Sequence, residues 1–172
     1  MSRRSTQNKF VPHPRYGSVP HTSGVAVPEQ TIRESFWRLR NETLFPESVL
    51  VAAPERQNYS VFPRLYYVDV LRECRTCKRP FIFFAKEQRY WFETLKFYVD
   101  ADCVQCPDCR RESRSVQRRL RRYSDLMREQ SRTPAQLQTL VDDATHLFAH
   151  GLLGNVNTLG AIKNEAQRII PG

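Results

Sequence analysis

Glycine is scarce in this sequence and histidine is missing from its cysteine-rich centre, and both facts argue against several classes of enzyme. Only 6 of the 172 residues are glycines, too few for phosphate-cradling loops, and no nucleotide-binding or hydrolase motif occurs. The 4 histidines, His13, His21, His146 and His150, lie outside the cysteine-rich centre of the chain. An open catalytic zinc site usually includes histidine or carboxylate ligands. The sequence therefore predicts a protein that is not an enzyme and has no small-molecule substrate.

Long apolar segments are also missing. No apolar run approaches the length of about 18 residues that a membrane-spanning helix needs. The first residues lack the apolar stretch of a secretory signal, so we expect a cytoplasmic protein with no membrane association. A disulfide framework needs an oxidising compartment and is therefore a poor explanation for the 5 cysteines.

Four of the cysteines form two C-x-x-C pairs, Cys74–Cys77 and Cys106–Cys109, with 28 residues between them. Each pair places two thiolates on one tight turn, and two such pairs can close the tetrahedral shell of a single zinc ion. A redox-active pair of the thioredoxin type would instead stand alone in a βαβ context. The spacing therefore predicts one structural Zn²⁺, and a closed shell of four sulfurs leaves no position for water or substrate.

The fifth cysteine complicates the choice of ligands, because Cys103 and Cys106 also form a C-x-x-C pair. We favour Cys106 with Cys109, because Pro107 suits the first position of a helix and a helical pattern follows it. Both sulfurs then lie at the positive N-terminal end of that helix, where thiolates are stabilised. Cys103 is then either a spare thiol or a replacement ligand.

The chain before the cysteines shows little regular pattern. Residues 1–30 contain several prolines and no apolar period, and we expect an extended, partly disordered arm. In residues 31–65, the capping-box pattern Thr31–Glu34 predicts a short helix over about 32–41. A loop over 42–65 follows, because its prolines limit regular structure. We expect this helix and loop to pack on the zinc domain.

The central segment combines aromatic strands with a short helix. Tyr66–Val70 and Phe81–Phe84 are rich in aromatic and β-branched residues, and they predict the strands on either side of the first cysteine pair. Lys86–Leu95 predicts a short helix or helical turn. Eight aromatic residues occupy Phe81–Tyr98. They form either a base-stacking platform or, as we favour for so small a domain, mostly a hydrophobic core.

These motifs, in this order, resemble the zinc-ribbon, treble-clef-like domain of uncharacterised bacterial proteins. The resemblance covers residues 66–112 and includes an aromatic strand, Glu87–Gln88, Trp91 and a final C-x-x-C-Arg that ends at Arg110. The resemblance implies no known activity. It leaves two roles open for Glu87 and Gln88: they lie at the start of a helix, or they form hydrogen bonds to one of the two cysteine turns. It implies zinc ligation by Cys74, Cys77, Cys106 and Cys109. The resulting fold class is α+β, with an aromatic β-hairpin, an N-terminal arm and a C-terminal helical extension.

The extension, residues 113–172, begins with a basic helix over about 113–130. Apolar residues spaced three and four apart form one stripe of this helix, namely Val116, Leu120, Tyr123 and Met127. Arginines fall on the opposite side: Arg111, Arg114, Arg118, Arg121 and Arg122. We call these five arginines the basic face. Arginine is suited to binding phosphate, but runs of like charge are commonly a solvated face that keeps the protein soluble, and for this helix we favour that simpler interpretation.

Two further helices are expected to form a hairpin over about 134–170. Thr133 and Pro134 suit the start of the first helix, and Gly151 supplies its end. An apolar stripe follows the helical period: Leu137, Leu140, Val141, Ala144, Leu147 and Phe148. No cysteine or carboxylate partner is evident for His146 and His150, so we expect His150 to interact with the helix C-terminal dipole rather than with a metal.

Two hypotheses of different class follow for function. The net charge of +9 and the basic face favour a zinc module that binds nucleic acid or the ribosome. Alternatively, the protein is an interaction adaptor that binds a protein partner through its C-terminal helices, with the zinc domain as scaffold. The first hypothesis predicts salt-dependent binding, and the second predicts a partner that nuclease treatment does not release.

Overall fold

Strands and helices are mixed in the first part of the chain, whereas the last part is entirely helical. The structure, a computed structural model, describes residues 9–169, and the chain divides after Arg110 into an N-terminal and a C-terminal unit. The N-terminal unit contains α1 (Glu29–Ser35), β1 (Thr43–Val51), β2 (Tyr66–Glu73), β3 (Pro80–Phe83) and α2 (Ala85–Arg89). Next come α3 (Pro107–Arg128), whose first turn belongs to this unit, α4 (Pro134–Ala149) and α5 (Val156–Ile169). The predicted α+β class is confirmed.

The three strands form an antiparallel sheet in the order β1-β2-β3. Both strands predicted around the first cysteine pair are present, and Val70 of β2 pairs with Leu44 and with Phe83. The predicted loop over 42–65 is wrong where β1 runs. Proline is tolerated in β1 because this is an edge strand and its register shifts between Phe45 and Leu50, around Pro46.

The short helix before the sheet is broken into two pieces. The sequence predicts one helix over about 32–41, but α1 ends at Ser35, Phe36 is extended, and a 3-10 turn follows over Trp37–Leu39. The break turns Phe36 and Leu39 into the core, whereas Trp37 stays 56% exposed. The aromatic side of this segment is therefore only partly buried.

The described part of the N-terminal arm, residues 9–28, packs along the sheet. Val11 bridges to Phe81, its N–H donates to the Pro80 carbonyl at 2.9 Å, and its side chain is buried. The His21 N–H donates to Asp69 Oδ2 at 2.9 Å. The predicted extended shape is present in this stretch, and these contacts attach it to the sheet. Residues 1–8 of the predicted arm lie outside the described residues.

The C-terminal unit has its own apolar core. Leu126 of α3, Leu140 and Ala144 of α4, and Leu159 and Ile162 of α5 form one buried cluster. The helical hairpin is confirmed up to residue 169, and Ile170, at its predicted end, lies outside the described residues. None of the described helices has the length and apolar character needed to span a bilayer.

The caps of α4 agree with the sequence. Thr133 Oγ1 accepts from the Gln136 N–H, and the Gln136 side chain accepts from the Thr133 N–H, which completes a capping box. Gly151, with φ of 68°, follows the end of the helix, as predicted. The stripe is wrong at its edge, because Phe148 is 37% exposed while Leu147 is fully buried.

Candidate metal centre

The first cysteine pair lies on a turn between β2 and β3. The Cys74 N–H donates to the Arg79 carbonyl at 3.0 Å, and the Lys78 N–H donates to the Cys74 carbonyl at 2.9 Å. The chain must reverse tightly after Cys77, and Lys78 accordingly adopts a left-handed φ of 61°, a conformation that favours glycine. These backbone bonds hold both thiols on the same side of the turn.

The second pair lies at the start of α3. Pro107 is the first residue of this helix, as predicted, and the Arg110 N–H donates to the Cys106 carbonyl at 2.9 Å. The Cys106 N–H donates to Cys74 Sγ at 3.3 Å and so joins the two turns. The helix start therefore holds the second pair of thiols against the first.

The four paired cysteines, Cys74, Cys77, Cys106 and Cys109, come together, and we call them the cysteine quartet. Their Sγ atoms all lie within 4.8 Å of one another. The distance from Cys77 Sγ to Cys106 Sγ is 3.8 Å. Tetrahedral coordination with bonds of about 2.3 Å separates two sulfurs by about 3.8 Å, so this spacing suits a metal ion bound by four thiolates.

The two pairs differ in how readily they lose protons. Burial acts to raise the pKa of Cys74, but backbone N–H groups of Cys77, Cys106 and Thr76 outweigh it and lower that pKa to about 6. Burial raises the pKa of Cys106, and burial together with the neighbouring thiols raises that of Cys109. A bound cation favours the thiolate form of all four groups, so metal binding is accompanied by release of protons.

Cys103 does not belong to the quartet. Its side chain is 1% exposed, and its thiol donates to the Gln105 carbonyl at 3.6 Å. Burial raises the pKa of Cys103 to about 12, which keeps the group a neutral thiol. This is the environment of a structural cysteine rather than of a reactive one.

Glu87 and Gln88, whose role the sequence leaves open, both lie within α2 and make hydrogen bonds. Glu87 is buried, and its Oε1 accepts from Arg110 Nη1 at 2.6 Å. Arg110 directly follows Cys109, and its guanidinium lies 5.3 Å from the centre of the Trp91 ring. Gln88 donates to the carbonyls of Val68 at 2.6 Å and Phe83 at 2.9 Å. The pair thus ties α2 to the second cysteine turn and to the sheet.

The eight aromatic rings of the centre divide between core and surface. Phe81, Phe83, Phe84 and Phe92 are buried, and Trp91 is partly buried. The three exposed rings are Tyr90, Phe97 and Tyr98, each with 41–42% of its surface accessible. The hydrophobic core that we expected these rings to form therefore includes four of them fully and Trp91 in part.

The basic face of α3 is rotated relative to the sequence prediction. The predicted apolar stripe is correct at Tyr123, which packs on the C-terminal core, but wrong at its last position, where Leu126 is buried and Met127 is 40% exposed. The rotation brings Arg122 toward Asp143 of α4: Nε lies 2.6 Å from Oδ2, and Nη2 lies 2.7 Å from Oδ1. Arg119 adds a contact of 2.8 Å to the same carboxylate, whose side chain has no exposed surface. One member of the predicted face is thus engaged within the chain.

The remaining members of the basic face are solvent-exposed, namely Arg111, Arg114, Arg118 and Arg121. Neither Arg118 nor Arg121 forms an ion pair with any residue between 9 and 169. One acidic residue on this side, Asp125, pairs with Arg128 at 3.3 Å. Positive charge therefore remains uncompensated along the middle of α3.

The two C-terminal histidines have a neighbour that sequence reasoning missed. As predicted, His150 contacts the end of its helix, with Nδ1 2.9 Å from the His146 carbonyl. The expectation that no carboxylate lies near is wrong, because Glu112 Oε1 is 3.1 Å from His150 Nε2. Glu112 is far from both histidines in sequence, and only the packing of α3 against α4 brings it there.

The centre of the chain is similar to one known protein family. Residues 68–118 match the family model described as a probable treble clef domain. The match covers less than a third of the chain and includes the cysteine quartet, Glu87, Gln88 and Arg110. It confirms the resemblance found in the sequence. No curated protein and no solved structure matches the chain significantly.

Proposed function

We propose that this chain is a non-catalytic module in which the cysteine quartet binds one structural Zn²⁺. The observation that carries the proposal is the grouping of four sulfurs, with a 3.8 Å separation between Cys77 and Cys106 that suits tetrahedral zinc. Four thiolates complete the shell of the metal, so no position is left for substrate or water. A reducing, cytoplasmic compartment keeps the thiols available.

Elemental analysis of the full chain tests the metal. At least one zinc per chain is expected after purification in metal-free buffer, together with four thiols protected from alkylation. A ratio near zero, with disulfides between the cysteines, contradicts the proposal. If the chain instead contains one equivalent of another metal, the cysteine quartet is a metal site but its assignment to zinc is wrong.

We further propose that the basic face contacts the phosphate backbone of nucleic acid, either free or in the ribosome. Helix α3 carries eight arginines and three acidic residues. Arg118 and Arg121 are exposed beside few acids, and the planar guanidinium presents a fork of donors suited to phosphate oxygens. Arg122 contributes less, because Asp143 already occupies its fork. The proposal therefore depends mainly on Arg118 and Arg121.

Salt-dependent binding to duplex and single-stranded RNA and DNA tests this surface. The logarithm of affinity should fall linearly with the logarithm of salt concentration, and Arg118→Ala or Arg121→Ala should reduce the slope by about one each. Arg168→Ala, an exposed arginine on α5, is the matched control and should leave the slope unchanged. If the wild-type chain binds no nucleic acid at low salt, the basic face is a solvated surface.

The adaptor alternative receives less support from the helices. Leu137, Leu140 and Leu147 have no exposed surface, so the apolar stripe that the sequence offered to a partner packs within the C-terminal unit. Co-purification before and after nuclease treatment separates the two functions. A protein partner that survives nuclease treatment and is unaffected by Arg118→Ala favours the adaptor.

A further inference from the structure

We propose that Glu112, His146 and His150 form a second metal site, which takes a divalent transition-metal cation such as Zn²⁺. All three residues belong to the C-terminal unit, and the site is separate from the cysteine quartet. We call these three residues the histidine cluster. Its side chains come from the first turns of α3 and from the end of α4.

The distances within the histidine cluster suit a shared cation. Glu112 Oε1 lies 3.1 Å from His150 Nε2 and 3.7 Å from His146 Nε2. The two imidazole ring centres are 4.2 Å apart. Metal–ligand bonds of about 2.0–2.2 Å place the ligand atoms of a tetrahedral site about 3.3–3.5 Å apart, between the two observed distances. Small side-chain movements are enough to complete the geometry.

The hydrogen bond made by His150 leaves its second nitrogen available to a metal. Nδ1 lies 2.9 Å from the His146 carbonyl, which can only accept, so Nδ1 carries the proton. In the neutral ring Nε2 then presents a lone pair toward the Glu112 carboxylate at 3.1 Å. Two acceptors at this distance repel unless a proton or a metal ion lies between them. Metal-binding histidines commonly donate their other N–H to a backbone carbonyl in this way.

The environment of His146 favours a bound metal ion over a proton shared between Glu112 and His150. Its Nε2 is buried and has no hydrogen-bond partner among residues 9–169. A proton shared by Glu112 and His150 leaves this nitrogen unsatisfied, and an unsatisfied buried nitrogen is costly. One cation bound by both imidazoles and the carboxylate satisfies all three groups at once.

The ligand set also indicates which metals fit. Imidazole and carboxylate ligands suit Zn²⁺, Ni²⁺ and Cu²⁺, whereas Mg²⁺ and Ca²⁺ prefer oxygen ligands alone. The Glu112 side chain is 57% exposed, so solvent can supply a fourth ligand. The bound ion would fix the start of α3 in the C-terminal unit to the end of α4.

Zinc binding by the full chain tests the site. In equilibrium dialysis at about pH 7.5, where free imidazole is mostly neutral, wild type should bind one equivalent more than each of Glu112→Gln, His146→Gln and His150→Gln. Asp125→Asn removes an exposed carboxylate from the same helix and should keep the extra equivalent. Zinc should also shift the imidazole nitrogen signals of His146 and His150 in NMR spectra of wild type.

The design separates this site from the cysteine quartet. The comparison concerns the difference between wild type and variants, so it does not depend on what the quartet binds. Far-UV circular dichroism checks that each variant is folded. Equal zinc content in wild type and in all three variants, or unchanged imidazole signals, overturns the proposal. A shared proton between Glu112 and His150, with no added metal bound, overturns it as well.

Discussion

The two units of this chain have apolar cores of different kinds. Three of the apolar clusters found in residues 9–169 lie in the N-terminal unit, and one of them consists largely of thiols packed around Val11, Phe81 and Phe83. The C-terminal unit has a cluster of aliphatic side chains from three helices and contains no cysteine. Small divided cores commonly need a metal, whereas amphipathic helices can bury enough apolar area by themselves. We therefore expect metal removal to affect the two units unequally.

The largest effect is expected from Cys106→Ser. Cys106 is fully buried and its backbone joins the two cysteine turns, so its loss removes a ligand and separates the turns. Metal binding supplies on the order of 10 kcal/mol of folding free energy in small zinc domains. The variant should lose the zinc bound by the cysteine quartet, and amide exchange should show an unfolded N-terminal unit beside helices α4 and α5 that remain protected.

Cys103→Ala is the control for this experiment. Cys103 is buried outside the quartet, so the variant should keep its metal and its protected sheet. Loss of zinc from Cys103→Ala, with zinc retained in Cys109→Ser, would show that the alternative pairing of Cys103 with Cys106 is the correct one. Simultaneous unfolding of both units in Cys106→Ser would remove the contrast between them.

Leu147→Ala is expected to destabilise the C-terminal unit and to leave the N-terminal unit unchanged. Leu147 has no exposed surface, and truncation of such a residue leaves a cavity that costs about 2–5 kcal/mol. The thermal midpoint of the C-terminal unit should fall while zinc content is unchanged. The neighbouring Phe148→Ala, at a position that is 37% exposed, should cost less than about 1 kcal/mol. Equal losses in both variants would contradict the observed orientation of α4.

A smaller effect, dependent on pH, is expected from Asp143→Asn. Burial acts to raise the pKa of Asp143, but Arg122 and Arg119 outweigh it and hold the pKa below its usual range. A lowered folded pKa stabilises the protein above the unfolded value, about 4, and this contribution is lost as the pH falls through the folded value. The variant should be less stable by about 1–3 kcal/mol at neutral pH.

Denaturant unfolding of wild type and Asp143→Asn across the acidic range measures this dependence. The difference in unfolding free energy should shrink once the pH falls below about 4. Asp125→Asn, which breaks an exposed pair with Arg128, should cost less than about 1 kcal/mol at any pH. A constant difference between wild type and Asp143→Asn would mean that the carboxylate charge is not the stabilising feature.

The smallest effect is expected from Lys78→Gly in the first cysteine turn. A left-handed conformation costs a residue with a side chain about 1–2 kcal/mol, and glycine avoids this cost but loses more backbone entropy on folding. The net result should be a gain of less than about 1 kcal/mol in the zinc-bound N-terminal unit. Denaturant unfolding of both variants measures this gain. Arg75→Gly, in the same turn but at a position without a positive φ, should be destabilising in that measurement. A loss of stability in Lys78→Gly would contradict the strain at this position.

Local features of the sequence predicted much of the N-terminal unit and of its candidate metal site. The spacing of the cysteine pairs, the aromatic strands and the position of Pro107 each depend on neighbouring residues alone, and each has the expected structure. Strand β1 was missed because a proline argues against a strand unless its place at the sheet edge is known. The role of Glu87 stayed open because its partner, Arg110, lies on another element.

The sequence by itself determined the α+β class, the four clustered thiols and the three C-terminal helices, because turn chemistry and apolar periodicity act over a few residues. Only the tertiary structure decided how α3 is rotated, since the exact stripe that faces the core depends on the surfaces of α4 and α5. That rotation buries Leu126, draws Arg122 to Asp143 and brings Glu112 to the two histidines. Contacts between residues distant in sequence are set by packing, and no local pattern of the chain encodes them.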